Sequence, residues 1–305
     1  MTQNDRFVIK VPASTANLGP GFDSMGLAVD LYLTLDVEKS VKWEIQSESE
    51  ELMAFPKDET HFIIQIAIKT AANYGIDLHP CKIKVDSDIP LARGLGSSAA
   101  AIVAGIELAD SVGRIGLTQQ EKLLIATEVE GHPDNVGASL FGGLVIGSYQ
   151  QNEVDMLSIS NISFEMVAVI PEEILLTKDS RGVLPTEFSR ESAIQASSTA
   201  NLLVAALLTQ NWTLAGKMME QDLFHQPYRK PLIKAYQEIE ERAKSLGAFG
   251  VALSGAGPTV LCFTEKGKGK LVEKGLRSEF STMSTKILSI DYIGSSVKTV
   301  ERFVK

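Results

Sequence analysis

Alternating apolar and polar positions predict strands in the first half of the chain. The segments with this pattern are 7–11, 28–37, 41–45, 81–87 and 142–149. They combine β-branched and aromatic residues with partial alternation, as half-buried strands do. Apolar residues at helical spacing predict a helix over 61–75 that ends at a glycine. Thr118 and Glu121 form a capping-box pattern, which predicts a second helix from there to about residue 130.

A polar stretch at 150–160 separates this half from a second one, and we place a domain boundary there, giving domains 1–155 and 156–305. Strands are predicted near 163–171, 249–255, 258–265 and 286–292. Helices are predicted near 190–209, 212–220, 231–246 and 268–279. Without the extra helices, the order is β-α-β-β-α-β, which predicts a split βαβ, or ferredoxin-like, domain.

Length, composition and charge narrow the class of protein. A chain of 305 residues can form two domains, each with its own core. The net charge of −9 argues against non-specific binding to nucleic acid, whose phosphates would repel it. The apolar segments are shorter than the ~20 residues that span a bilayer, and the N-terminus MTQNDR is polar. We therefore expect no membrane or nucleic-acid partner and a cytoplasmic protein. Cys81 and Cys262 are expected to be buried free thiols, because they lie far apart in sequence inside apolar, strand-like segments, and neither shows a metal-ligand spacing.

The segment Pro90-Leu-Ala-Arg-Gly-Leu-Gly-Ser-Ser-Ala-Ala-Ala101 predicts a glycine turn that leads into a helix. The free N–H groups of such a helix start, together with the helix dipole, favour an anion such as phosphate. The pattern differs from the common P-loop, because Ser97 stands where that motif has lysine. The serine hydroxyls could cap the helix or bind a metal ion that accompanies a phosphate. Taken alone, glycine and serine before a helix are more often a simple turn and N-cap.

Other polar segments allow both a structural and a functional interpretation. His132-Pro-Asp-Asn135 could be a turn after a helix, or Glu130 and Asp134 could bring carboxylates together for Mg²⁺. Residues 12–26, which carry Asn17 and Asp23, read as a long loop that could face a ligand. Residues 254–259 could form a tight hairpin or a second backbone surface near a ligand.

Two arginines complete the set of candidates. Arg181 is expected in a loop flanked by glycine, and Arg229 just before a helix. Most arginines are solvated surface residues, and that is the default for both. If they faced one pocket, their planar guanidinium groups could hold a carboxylate through two hydrogen bonds each, which lysine cannot do.

Three segments in this order resemble the motifs of the GHMP kinase superfamily. They are PASTANLGPGFDSMGLA at 12–28, PLARGLGSSAA at 90–100 and LSGAGPTV at 253–260. The resemblance covers nearly the whole chain, and three ordered motifs are far more specific than one. Within the superfamily, the Ala-Asn-Leu-Gly-Pro-Gly-Phe-Asp stretch and EGHPDNV at 130–136 are similar to the homoserine kinase form. Between Glu130 and Asp134 the chain has only Gly-His-Pro, whereas some relatives carry a longer loop.

The resemblance implies an α+β fold with two domains. The N-terminal, ATP-binding domain would be ribosomal-protein-S5-like, and the C-terminal domain would be ferredoxin-like. It also implies transfer of the ATP γ-phosphoryl group to the side-chain hydroxyl of L-homoserine, giving O-phospho-L-homoserine on the route to threonine. ATP would be the co-substrate and Mg²⁺ the cofactor. A homodimer paired through an edge of the N-terminal sheet is possible, and a kinase-like ligand sensor without activity is the alternative from another functional class.

Site residues follow from the resemblance by position. ATP would be bound by Pro90, Leu91, Ala92, Arg93, Gly94, Leu95, Gly96, Ser97, Ser98, Ala99 and Ala100. Mg²⁺ would be bound by Ser98 and Glu130. Homoserine would be surrounded by Asn17, Asp23, Asp134, Asn135, Arg181 and Arg229. An adenine pocket is not indicated by any residue in 50–80.

The candidate catalytic residues are Asp134, Asn135 and Arg181. Phosphoryl transfer has a loose transition state, so alignment and charge neutralisation can supply most of the rate. Asp134 and Asn135 are therefore assigned to positioning the substrate, and base catalysis by Asp134 is kept as an alternative.

Overall fold

A computed structural model describes residues 6–47 and 49–300 of the chain. Within these residues, eleven strands form two sheets. The strands are β1 (Arg6–Asn17), β2 (Gly21–Lys39), β3 (Glu44–Ser47), β4 (Cys81–Ser87), β5 (Leu144–Gln150), β6 (Glu153–Ile159), β7 (Glu165–Ile170), β8 (Gly250–Leu253), β9 (Val260–Thr264), β10 (Ser284–Leu288) and β11 (Ser296–Val300). Residues 1–5, on which part of the N-terminal interpretation depends, lie outside the described residues.

Helices connect and cover the sheets. They are α1 (Glu50–Met53), α2 (Phe62–Asn73), α3 (Ser97–Gly113), α4 (Gln119–Glu130), α5 (Asp134–Phe141), α6 (Thr177–Gly182), α7 (Arg190–Leu208), α8 (Trp212–Glu220), α9 (Gln226–Arg229), α10 (Tyr236–Ser245) and α11 (Gly269–Glu279). A short 3-10 turn follows α9. Among the residues that the structure describes, none of the helices has the length and apolar character needed to cross a membrane.

The first sheet is organised around the long strand β2. Its neighbours run in the order β11-β1-β2-β4-β3, while β5 pairs with β2 on one side and with β6 on the other. The N-terminal part of β2 pairs with β5 and the C-terminal part with β4, so one strand serves two neighbours at different positions. Helices α3 and α5 pack on β1 and β2, and α2 packs on α3. Fully buried side chains such as Ile9, Leu35 and Ile106 form this core.

The second sheet has the order β10-β7-β9-β8, and all of its neighbouring strands are antiparallel. Its strands and packing helices follow the order β-α-β-β-α-β, with additional helices between β7 and β8. The predicted ferredoxin-like arrangement and the α+β class are therefore confirmed. Val167, Val251 and Cys262 lie in the core on the side where α10 and α11 pack.

The predicted domain boundary at 155/156 falls inside β6. In addition, β11 returns from the second half and pairs with β1, and the main hydrophobic core contains side chains from both sides of the boundary. The division into two domains stays a prediction. Strands β6 and β11 were not predicted, because both alternate poorly and expose many polar side chains.

Two further interpretations of the sequence were wrong. The long loop expected at 12–26 is mostly strand, since β1 extends to Asn17 and β2 begins at Gly21. Its small side chains are buried, which removes the strong alternation of a half-buried strand. The turn expected at 132–135 does not extend that far: the chain bends at 131–133, and α5 already begins at Asp134.

Candidate active site

One cavity of about 410 Å³ brings together residues from both halves of the chain. Its lining includes every residue that the sequence predicts for the acceptor and the metal: Asn17, Asp23, Ser98, Glu130, Asp134, Asn135, Arg181 and Arg229. Of the predicted ATP-binding segment, it includes Leu91, Ala92, Gly94, Gly96, Ser97 and Ser98. The cavity lining, taken over the described residues, does not include the other five residues of the segment: Pro90, Arg93, Leu95, Ala99 and Ala100. Leu95, Ala99 and Ala100 point into the core instead.

The glycine turn leads directly into α3, as the sequence predicts. Gly94 and Gly96 have positive φ values of 76° and 69°, and Gly96 is the N-cap of the helix. A side chain at Gly96 would collide with Ser14 of β1, so glycine is required there for conformation and for space. No side chain caps α3, so the first N–H groups of the helix have no capping partner at a point where Gly96, Ser97 and Ser98 line the cavity. This arrangement suits an anion.

Ser98 and Glu130 are brought together by the packing of α3 against α4. The Ser98 hydroxyl donates to Glu130 Oε2 at 3.2 Å. Helix α4 ends at Glu130 because Gly131, with φ of 91°, forms a left-handed C-cap. Burial raises the pKa of the Glu130 carboxyl, an effect that His132 and the Ser98 hydroxyl partly offset. A buried carboxylate beside a hydroxyl gives two oxygen ligands of the kind that Mg²⁺ prefers.

Asp134 lies at the first position of α5 and is almost fully buried. Its Oδ1 accepts hydrogen bonds from His132 Nδ1 and from the backbone N–H of Asn135, each at 2.7 Å. Burial disfavours a charged imidazole, but the hydrogen bond to Asp134 and the neighbouring carboxylates outweigh this and raise the pKa of His132. Gly26 of β2 allows α5 to approach, because a side chain there would collide with the Asp134 backbone.

Asp23 and Arg181 form a two-point ion pair, with Nη2–Oδ1 and Nη1–Oδ2 distances of 2.6 and 3.1 Å. Arg181 lies on α6, not in the loop that the sequence suggests. Burial disfavours the guanidinium charge, but the hydrogen bond and charge of Asp23 outweigh it and raise the pKa of Arg181. The side chains are 37% and 34% exposed, so the pair is accessible from the cavity.

Arg229, by contrast, is nearly fully buried on the short helix α9. It donates to the carbonyls of Ser180 and Gly255, each at 3.2 Å, and to His225 Nδ1 at 3.3 Å. Burial, followed by the nearby charge of Arg181, lowers the pKa of Arg229 to about 10. The group remains charged at neutral pH, in a place where it is poorly hydrated and can bind an anion strongly.

Asn17 and Asn135 both connect neighbouring segments of the site. Asn17 donates through Nδ2 to the Gly255 carbonyl at 3.2 Å and accepts from the Asp23 backbone N–H at 3.1 Å. Asn135 accepts from the Ser14 hydroxyl at 3.0 Å. The Asn17 side chain therefore joins the first motif to the third and helps to fix the position of Asp23.

Comparisons with known proteins identify the family. Family models for the GHMP kinases match the chain twice, the N-terminal domain at residues 61–143 and the C-terminal domain at residues 203–282. A homoserine kinase of Bacillus licheniformis is 51% identical over 92% of both chains. The chain belongs to the homoserine kinases of the GHMP kinase family.

Two further relatives agree with this assignment. A homoserine kinase of Bacillus pumilus is 49% identical over 96% of this chain and 94% of its own. The crystal structure of homoserine kinase from Cytophaga hutchinsonii has a TM-score of 0.85 at 26% identity, covering 98% of this chain and 99% of the other. The GHMP kinase resemblance seen in the three motifs is thus confirmed.

Several groups at this GHMP kinase site were not predicted from the sequence. His132 was predicted only as part of a turn, although its place between Glu130 and Asp134 marks it as a candidate site residue, and it lines the cavity. Phe22 lies in the first motif, and its ring centroid is 5.4 Å from the Arg181 guanidinium carbon and 5.3 Å from that of Arg229. His225 stacks on the same ring, and nothing in its local sequence marks it.

A second part of the cavity is apolar, and it was not predicted from the sequence. It comes from strands β2, β3 and β4 and from the region of α1 and α2, and includes Leu33, Ile45, Leu52, Phe55, Phe62 and Val85. These residues read as ordinary core in the sequence. Exposure distinguishes only Phe55 and Phe62, which are 42% and 46% exposed, whereas Leu33, Ile45 and Val85 are buried.

Proposed function

We propose that this GHMP kinase transfers the γ-phosphoryl group of ATP to the side-chain hydroxyl of L-homoserine, giving ADP and O-phospho-L-homoserine for threonine biosynthesis. One observation carries the proposal. A single cavity joins a helix N-terminus suited to phosphate with a set of charges suited to an amino acid zwitterion. The homoserine kinase relatives support the same substrates.

The nucleotide is assigned to the first part of the cavity. Its triphosphate would lie over the N-terminus of α3, where Gly94, Gly96 and Ser97 border the cavity. The base would enter the apolar part beside Phe55 and Phe62, which supplies the adenine pocket that the sequence does not indicate. Apolar walls with a few polar groups are typical of such ligand sites.

Mg²⁺ is assigned to Ser98 and Glu130. Both offer oxygen atoms at one point beside the proposed phosphate site, and the high cost of burying the Glu130 carboxylate would be reduced by a cation. Asp23, His132 and Asp134 also lie close enough together to share an ion, among the side chains that the structure describes. Their nitrogen ligand and existing ion pair suit Mg²⁺ less well. When bound, the metal would neutralise charge on the phosphates.

The acceptor is assigned to Asp23, Arg181 and Arg229. In the structure Asp23 and Arg181 neutralise each other through their ion pair. A zwitterion can replace each partner, because its ammonium group pairs with Asp23 and its carboxylate with Arg181 and Arg229. The ring of Phe22 beside both guanidinium groups restricts their positions.

The hydroxyl of homoserine is assigned to Asp134 and Asn135. In the described part of the chain, both hydrogen bonds that Asp134 accepts go to Oδ1, which leaves Oδ2 for the substrate. We assign Asp134 to orienting the hydroxyl, with His132 holding the carboxylate. A general base contributes about 10²- to 10⁴-fold, so an Asp134→Asn enzyme that loses this much kcat, with little change in KM, would favour base catalysis instead.

The activity is tested by ADP release with Mg²⁺, ATP and a panel of acceptors. Homoserine should be phosphorylated in preference to serine, threonine, mevalonate and galactose. Turnover of another acceptor but not homoserine would contradict the proposal, and tight binding of both ligands without product would favour a sensor. The homodimer and the cytoplasmic location stay predictions, which light scattering and cell fractionation would test.

A further inference from the structure

The side chain of Arg93 turns away from the cavity, although it belongs to the predicted ATP-binding segment. It donates three hydrogen bonds to backbone carbonyls. Nε donates to Pro171 at 3.1 Å, Nη2 to Glu172 at 2.9 Å and Nη1 to Leu91 at 3.0 Å. One guanidinium group therefore holds the start of the glycine turn and the segment after β7 in a fixed relation.

The two segments that Arg93 joins lead to different proposed ligand sites, one to the nucleotide site and the other to the acceptor site. The glycine turn continues into α3, where the triphosphate is assigned. The segment after β7 contributes Leu175 and Leu176 to the cavity wall and then enters α6, which carries Arg181. A backbone hydrogen bond from Leu175 N–H to the Ala92 carbonyl, at 3.4 Å, supports the same junction.

We propose that Arg93 is a positioning residue that couples nucleotide binding to acceptor binding. The inference rests on the proposed function. Phosphate bound at the glycine turn restricts the backbone conformation of Leu91 and Ala92. The φ of Ala92, 52°, is already unusual for a residue with a side chain. Through Arg93 the same restriction reaches residues 171–176, and through α6 it reaches Arg181. Coupling of this kind is reciprocal, so homoserine strengthens nucleotide binding by the same factor.

The planar geometry of arginine explains the choice of residue. Five N–H groups in a rigid plane can satisfy three carbonyls that point at one place, whereas the single ammonium of lysine cannot span them. Lysine keeps the charge and much of the length of the side chain. The Arg93→Lys variant therefore removes the three-point connection while changing little else.

The test is a binding cycle measured by calorimetry. Homoserine is titrated into the enzyme with and without Mg²⁺ and the non-hydrolysable β,γ-imido analogue of ATP. Coupling energies are typically equivalent to about 5- to 150-fold in affinity, and we expect a factor in this range for the unmodified chain. In Arg93→Lys it should fall close to one, while each ligand alone binds with nearly its original affinity. Loss of alignment should also lower kcat by about 10- to 100-fold.

Arg277→Lys is the matched control, because Arg277 also donates to a backbone carbonyl, that of Thr285, but lies away from the cavity. It should leave the coupling factor unchanged. An unmodified chain that binds both ligands independently, or an Arg93→Lys variant with the original coupling, would overturn the inference and leave the proposed function intact. If neither ligand binds the unmodified chain, the proposed function fails as well.

Thermal unfolding of the unliganded variants separates this role from a structural one. If Arg93→Lys does not fold, the same cycle is measured with Arg93→Gln. Failure of both variants to fold would overturn the inference, because it would make Arg93 a residue that the fold itself requires.

Discussion

The Arg181→Lys variant should lose affinity for homoserine while keeping its affinity for ATP. Arg181 donates to Asp23 through two N–H groups, and we assign the same two groups to the substrate carboxylate. Lysine retains the positive charge but cannot make both hydrogen bonds. The substitution therefore tests the geometry of the guanidinium group rather than its charge.

The expected increase in KM for homoserine follows from the hydrogen bond to the substrate carboxylate that lysine cannot make. A hydrogen bond to a charged group contributes about 1.5–3 kcal/mol, which corresponds to an increase of about 10- to 150-fold in KM for homoserine. The effect on folding should be much smaller. Both partners are about one-third exposed, with side-chain values of 37% and 34%, and such pairs contribute at most about 1 kcal/mol to stability.

A coupled assay of ADP release gives KM for each substrate, and thermal unfolding gives the change in stability. The midpoint of unfolding should fall by no more than about 2–4 °C. Arg242→Lys is the control, because Arg242 pairs with Glu279 at 2.9 Å on the surface away from the cavity. An unchanged KM for homoserine, or an equal rise in KM for ATP, would refute the assignment of Arg181.

Other predictions address the metal, the glycine turn and the response to acid. Glu130→Gln should raise the Mg²⁺ concentration for half-maximal rate at least about tenfold. Ser98→Ala should raise it less, because Ser98 is a neutral ligand. Equal Mg²⁺ dependence in both variants and the unmodified chain would contradict the metal site. Gly96→Ala should lower the free energy of unfolding in urea by at least about 1–2 kcal/mol and raise KM for ATP, because alanine at φ of 69° also collides with Ser14. Burial lowers the pKa of His225 to about 4, below the usual value of about 6.5, so the unfolded chain binds the proton more strongly. The stabilisation that this group contributes is complete above about pH 6.5 and is lost as pH falls towards 4. Between pH 7.5 and 5, the free energy of unfolding of His225→Gln, measured by urea titration, should therefore fall by about 1–2 kcal/mol less than that of the unmodified chain. An unchanged pH dependence would contradict a neutral buried imidazole.

Local patterns predicted most of the secondary structure. Strand β4 alternates strictly and was predicted at its observed bounds, 81–87. The capping box that starts α4 is present, with Thr118 and Glu121 bonded to each other's backbone. Strands such as β11 were missed because an edge strand needs little burial on either face. Its pairing with β1 depends on residues almost 300 positions apart, which no local pattern records.

By itself, the sequence determined the helix and strand periodicity, the ferredoxin-like order of the second sheet, and a glycine turn before a helix whose glycines adopt backbone angles that other residues avoid. The motifs also determined the family. These properties depend on neighbouring residues, so they can be read along the chain.

Only the tertiary structure decided which side chains face each other. It paired Asp23 with Arg181 across 158 positions and turned Arg93 away from the proposed phosphate site towards the segment after β7. It also converted ordinary apolar residues of β3, β4 and α2 into one wall of a cavity. Such contacts are set by how helices and sheets pack over the whole chain, and the direction of a side chain in that packing is not encoded within any single segment.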